Sequence, residues 1–148
     1  MFDLMYLIAA FAGGMFGAAV GAIPAFILTG LAAVIGAGVA IITGDGTLVG
    51  SIAFGPFLGP HVAFAGGVAG AAYAAKKGKL DSGKSILTAL AGLDSPDVLF
   101  VGGIFGALGY VIAWLYGLLP NIGGAAWTDT IALSVVTTAI IARFVFGN

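Results

Sequence analysis

The side chains able to do chemistry are few, and several stand beside a break in an apolar run. His61 is the one histidine of the chain and follows Pro60. At a helix start, where positive charge is disfavoured, a neutral imidazole can donate a hydrogen bond to a solute or relay a proton. Ser51 lies upstream in the same apolar stretch. Asp97 follows Ser95-Pro96, and Asp129 sits between Thr128 and Thr130 at the start of the last apolar run. A carboxylate slightly inside a membrane can bind a cation or carry a proton. Thr130, Ser134 and Thr138 recur at i, i+4, i+8 and so share one helical face. Such hydroxyls either line a pore or bond back to their own helix.

Each of these residues also has a plain structural role. His61 fits a hydrogen-bonded histidine at the outer surface. Ser95 with Pro96 and Asp97 makes a good helix start, and so does Thr128 with Asp129. Gly78 to Ser85 reads GKLDSGKS, which fits G-x-x-x-x-G-K-S letter for letter. The pattern resembles the phosphate-binding loop of P-loop NTPases. That loop needs a buried strand before it and a helix after it. Here an apolar segment ending in Lys76-Lys77 precedes it, so nucleotide binding is not expected. These lysines read as topology determinants that also meet anionic lipid headgroups.

Several chemistries are excluded outright. The chain has no cysteine, which removes disulfides, thiolate metal sites and cysteine nucleophiles. A single histidine removes a multi-histidine metal site within one protomer. No carboxylates pair in sequence, and no serine sits in a nucleophile elbow. Neither an enzyme nor a cofactor nor a metal is expected.

The elements that must position these residues are set by composition. The 148 residues are 61% hydrophobic and 7% charged, with a net charge of −1. Mean hydropathy is +1.18. Soluble domains carry roughly 25% charged residues, so a water-facing globule, a nucleic-acid binder and a disordered chain are all excluded. The lipid bilayer is the expected surrounding. A spanning helix needs about 20 apolar residues. Runs at 4–22, 24–43, 98–118 and 128–147 meet that need. The stretch 48–75 is apolar but interrupted by Pro56 and Pro60. Proline inside a helix removes a hydrogen bond and clashes with the preceding turn. The pattern predicts a half-helix over 49–58, a break, and a fifth span over 60–76. The alternative is one long kinked helix. The opening segment lacks the basic region of a cleaved signal, so the first run is expected to be retained.

Lys76, Lys77, Lys79 and Lys84 fall in the loop 76–96, and Arg143 is the fifth cation. The positive-inside rule puts both in the cytoplasm, with two spans between them. The N-terminus is then outside and the C-terminus inside, in the cell (inner) membrane. Trp114, Tyr116 and Trp127 form an aromatic belt near one interface.

A motif recurs three times as F-x-G-G-x-x-G-A, at 11–18, 64–71 and 100–107. Composition gives such a match on the order of one in ten thousand per window, so three copies argue for self-similarity. The last two copies extend upstream: Pro60-His61-Val62 parallels Pro96-Asp97-Val98. The topology runs these two units in opposite directions, as an inverted repeat. The plain reading is that 85–95 is a cytosolic stretch. Gly13 and Gly17, Gly66 and Gly70, and Gly102 and Gly106 fall four apart, a spacing that lets helix backbones approach closely.

The expectation is an all-α, single-domain polytopic membrane protein of about five spans over residues 1–148. Its expected function is a channel or transporter for a small ion or polar solute, acting as a homo-oligomer. Ser51, Pro60, His61, Asp97, Asp129, Thr130, Ser134 and Thr138 are the expected path residues. The alternative is a non-transporting membrane subunit that assembles with another protein through its glycine faces.

Overall fold

The computed structural model describes residues 2–147, whose regular elements are all helices, with no strand among the described residues. Five α-helices run in chain order: α1 Leu4–Val20, α2 Ala22–Thr43, α3 Ala63–Lys76, α4 Pro96–Gly117 and α5 Thr130–Phe146. A π-helical turn covers Val49–Ala53, and a 3-10 turn covers Leu90–Leu93. Two helices, α2 and α4, are long and apolar enough to cross a membrane, at 22 residues each. α1 and α5 are shorter apolar helices.

The helix ends follow local chemistry. Asp3 caps α1 by accepting the Met5 N–H at 2.8 Å. Gly21, at φ +99°, reverses the chain directly into α2. A side chain there would be strained, and it would also press on the Leu87 carbonyl. Gly44 ends α2 in the left-handed conformation, its N–H on the Ala40 carbonyl. Asp129 caps α5 by accepting the Ile131 and Ala132 N–H groups, both at 3.0 Å.

Expected and observed boundaries differ most in the interrupted stretch. Only Val49–Ala53 of the 49–58 half-helix is helical, and in a widened π turn. Turns occupy the chain from there to Val62, so α3 starts at Ala63 rather than 60. Four residues of this stretch, Gly55, Pro56, Gly59 and Pro60, resist an α-helix. The extension before the third motif copy is also not a half-helix, since only Leu90–Leu93 of it is helical, in a short 3-10 turn.

The centre is α1, α3 and α4, the three helices that carry the glycine motif. Gly14 lies against Gly66, Gly102 and Gly106, backbone to backbone. α1 pairs Ala10 with Gly106 and Ala18 with Gly102, so it runs antiparallel to α4. α3 pairs His61 with Gly109, Gly66 with Gly102 and Gly70 with Val98, so it too opposes α4. The buried side chains here are mostly alanine, including Ala10, Ala18, Ala63, Ala69 and Ala74. Small side chains leave dispersion contacts between backbones as the cohesive force.

α5 lies outside this trio, with Ala142 against Ala69 of α3 and Phe105 of α4. α2 is the most peripheral helix. Val34, Ile41 and Ile42 are 74%, 86% and 85% exposed. An apolar helix with that much bare surface suits lipid, not water.

Candidate functional site: the interrupted segment around His61

The segment 54–62 is held by glycines on its neighbours. The Phe57 carbonyl sits where a side chain at Gly13 of α1 would be, and the Ala63 carbonyl does the same at Gly17. The His61 carbonyl fills that place at Gly109 of α4. Three carbonyls thus rest on bare glycine backbone, which fits weak Cα–H···O contacts. From α2, Thr29 donates its hydroxyl to the Leu58 carbonyl at 2.7 Å and to its own Ala25 carbonyl at 3.1 Å. Within the segment, the Gly59 carbonyl accepts from Val62 and Ala63 at 2.8 and 2.9 Å. That pair of bonds starts α3 where Pro60 cannot donate.

His61 is 4% exposed, and its Nδ1 has no hydrogen-bond partner among the described residues. The ring covers Gly59, whose missing side chain would meet ring Cε1 at 2.5 Å. An unpartnered buried polar atom costs about 1–3 kcal/mol. Val62, next to it, is fully buried with Ala10 and Tyr110. Gly109 sits 13 residues along α4 from Pro96 and eight from Gly117, which puts His61 about 20 Å from one end and 12 Å from the other. The imidazole is therefore deep in the bundle.

Pro60 and Ser51 belong to the same segment. Ser51 is exposed, in a shallow depression of about 360 Å³ with Phe16, Leu28, Ile52, Phe57 and Leu58. Its hydroxyl is the polar group of an otherwise apolar hollow between α1, α2 and the π turn.

The other expected path residues lie elsewhere. Asp97 is at the far end of α3, a helix of 14 residues and therefore about 21 Å long. Its carboxylate accepts from Tyr73 Oη at 3.0 Å and Ser95 Oγ at 2.6 Å, and pairs with Lys77. The hydrogen bond from Lys77 to this carboxylate holds the ammonium above the usual lysine range. Asp129 is occupied as the α5 cap, and Thr130 is half-buried beside it. Ser134 and Thr138 are buried, and their hydroxyls donate to carbonyls of their own helix: Ser134 to Ile131 at 2.8 Å, Thr138 to Ser134 at 2.9 Å. The face they share carries Ala142 into the bundle. The structure thus brings Ser51, Pro60 and His61 into one segment, and leaves Asp97 and the α5 residues apart from it.

Three residues that matter here carried no sequence signal strong enough to single them out. Thr29 is a lone hydroxyl in an apolar run. Gly109 falls outside the repeated motif. Tyr73 binds a residue 24 positions away, a pairing that no local spacing announces.

Gly13, Gly17, Gly66, Gly70, Gly102 and Gly106 all face neighbours inside the chain; at Gly70 these are Leu90, Ala18 and Val98. Gly30 and Gly38 of α2, by contrast, face open space. The GKLDSGKS loop forms no phosphate cradle of the P-loop kind. The Lys84 N–H is taken by Ser82 Oγ and the Ser85 N–H by the Ser82 carbonyl. Among the described residues, no three His, Asp or Glu side chains gather as a metal site.

No curated protein and no solved structure matches this chain. A family model does match, over residues 1–148, and its description is "Family of unknown function (DUF7973)". The chain belongs to that family.

Proposed function

We propose that this protein is a transporter or channel for a small ion or small polar solute, built from five spans in the cell (inner) membrane. α1, α2, the interrupted segment with α3, α4 and α5 are the spans, with the N-terminus outside and the lysine loop in the cytoplasm. The observation that carries this reading is His61: a polar ring deep in an apolar bundle, at a break in a span, with Nδ1 unpartnered. Broken backbone at membrane depth is tolerated where protein or a polar cavity covers it, and such breaks mark ion and solute sites. The antiparallel run of α3 and α4 supports treating the Pro60 and Pro96 units as an inverted pair. On this reading the path runs along the interrupted segment past Ser51, since the glycine trio fills the centre. The hollow at Ser51 is open on one side, so a second copy is needed to wall it, which favours a homo-oligomer.

The test is flux in proteoliposomes over a panel of ions and small polar solutes, with His61→Ala and His61→Gln as variants. Flux by the parent chain, abolished in both, is expected. Single cysteines at Ser51, His61, Asp97, Ser134 and Thr138 add a second readout in this cysteine-free chain. Residues 51 and 61 are expected to react with a membrane-impermeant thiol reagent, more slowly when the transported solute is present. No flux, together with silence at 61 from both sides, refutes transport.

A second reading, a non-transporting subunit, is favoured by the bare face of α2. Gly30 and Gly38 there face open space beside exposed Val34 and Ile41. The motif glycines are used within the chain, so assembly with another protein would fall to this helix. That reading expects His61→Ala to be silent and Gly30→Leu to disrupt the complex.

A further inference from the structure

A cavity of about 480 Å³ lies at the end of the bundle away from His61. Its walls are the C-terminal turns of α3 and α5, and the loop 81–84 borders it. Three of the chain's five cations line it, Lys76, Lys84 and Arg143, with one carboxylate, Asp81. Cations therefore outnumber carboxylates in its lining, in a molecule whose net charge is −1. The loop is seated firmly: Gly83 packs on Ala72, where a side chain would come 3.1 Å from the Ala72 Cα. Lys76 is anchored by donating one proton to the Val145 carbonyl at 2.9 Å, and it lies 5.9 Å over the Phe146 ring. A lysine ammonium has three donors, so this anchoring fixes the charge and leaves donors to spare. Beside Ser82, the helix walls are apolar, with Val68 and Ala72 on α3 facing Ala139 and Ala142 on α5.

We propose that this cavity binds a phosphate-bearing anion, presented as the headgroup of an anionic phospholipid whose acyl chain lies along the α3–α5 groove. The cations converge from three separate elements, whereas topology signals alone need no convergence. Basic pockets between spans on the cytoplasmic side are the known chemistry for anionic headgroups. The apolar wall beneath the charges favours a lipid over a free ion. Lys84, the lysine of the GKLDSGKS loop, contributes by its side chain and not through a backbone cradle.

The test uses the full chain in a neutral detergent, with bound lipid counted by native mass spectrometry. The probes are a short-chain phosphatidylglycerol, the matching phosphatidylcholine and inorganic phosphate. Phosphatidylglycerol is expected to bind, with phosphatidylcholine at least tenfold weaker. Removing one cation is expected to weaken binding by about fivefold, a factor that follows from the usual strength of one Lys or Arg at an anionic surface. Lys76→Gln and Lys84→Gln are the variants. Asp81→Asn is expected to tighten binding, which a misfolded protein cannot do. Competition by millimolar inorganic phosphate supports a shared anion site, whereas phosphate binding without phosphatidylglycerol binding makes free phosphate the ligand and overturns the lipid assignment. Equal binding of the two lipids, with no competition by phosphate and no response to the three variants, overturns the proposal.

Discussion

Adding one methyl group at Gly66 tests whether this bundle is held by backbone contact. A Cβ there would stand 2.5 Å from the Cα and carbonyl oxygen of Gly14, and 2.6 Å from the Gly102 oxygen. Ordinary contact between carbon atoms is about 3.5–4.0 Å. The helices must then separate by about 1 Å, because backbone on both sides cannot rotate away. Overpacking costs about 1–3 kcal/mol, and two opposing backbones place this site near 3. A gap of 0.5–1 Å also forfeits a quarter to a half of each dispersion contact around it. Against this, replacing a helical glycine with alanine gains about 1 kcal/mol of propensity. The net expectation for Gly66→Ala is a loss of about 2 kcal/mol. Gly38→Ala is the control, since nothing lies within 4 Å of a Cβ at that position. Only the propensity term acts there, so it is expected to be neutral or stabilising by up to about 1 kcal/mol. Reversible unfolding in mixed dodecyl maltoside and dodecyl sulfate micelles, followed by circular dichroism, measures both. Equal stabilities for the two variants would refute the account of the core.

Further expectations follow from the polar contacts. Thr29→Val keeps the shape of the side chain and removes its bond to the Leu58 carbonyl; a loss of about 1–2 kcal/mol is expected in the same micelle assay. Ser134→Ala with Thr138→Val removes only bonds to their own helix, so a change under about 1 kcal/mol is expected in that assay. Asp97→Asn removes the carboxylate that holds Lys77 protonated, so the Lys77 titration seen by NMR should fall toward the ordinary lysine value of about 10.4. The sign follows from a raised folded pKa. The stabilisation by this pair is complete below the unfolded lysine pKa and is lost as pH rises through the folded one.

How much of this was legible in the sequence differs from element to element. The helical class was legible, because apolar runs bounded by Gly, Pro and Asp leave little else. The three F-x-G-G-x-x-G-A copies marked the helices that meet, since only glycine lets backbones touch. The break was legible from Pro56 and Pro60, but its shape was not. A half-helix over 49–58 and the π turn at Val49–Ala53 satisfy the same local rules, and Gly13, Gly17 and Gly109 on other helices shape the chain beyond it. The i, i+4, i+8 hydroxyls of α5 show the same limit. Periodicity places Thr130, Ser134 and Thr138 on one face, but whether that face meets water or α3 and α4 is decided by packing. Asp97 was legible as a helix start; Tyr73 and Lys77 reach it only through the antiparallel pairing of α3 and α4.

The glycine core and the interrupted segment depend on each other. Backbone that leaves a helix inside an apolar bundle needs its polar groups covered, and helices at ordinary separations of 8–10 Å leave side chains in the way. Gly13, Gly17 and Gly109 remove that obstacle, so the carbonyls of Phe57, Ala63 and His61 seat on bare backbone. Gly109 is the telling one, because its partner is the His61 carbonyl itself. Gly109→Ala would drive a methyl group into that oxygen, and a backbone atom cannot swing aside as a side chain can. The segment must lift off α4 and take the imidazole with it. In a His61→Cys background, Gly109→Ala is therefore expected to speed modification by an impermeant thiol reagent several-fold, while Gly30→Ala leaves the rate unchanged. Equal rates in the two would mean that α4 does not hold the segment, and that the burial of His61 has its cause in Gly13, Gly17 and Thr29 alone.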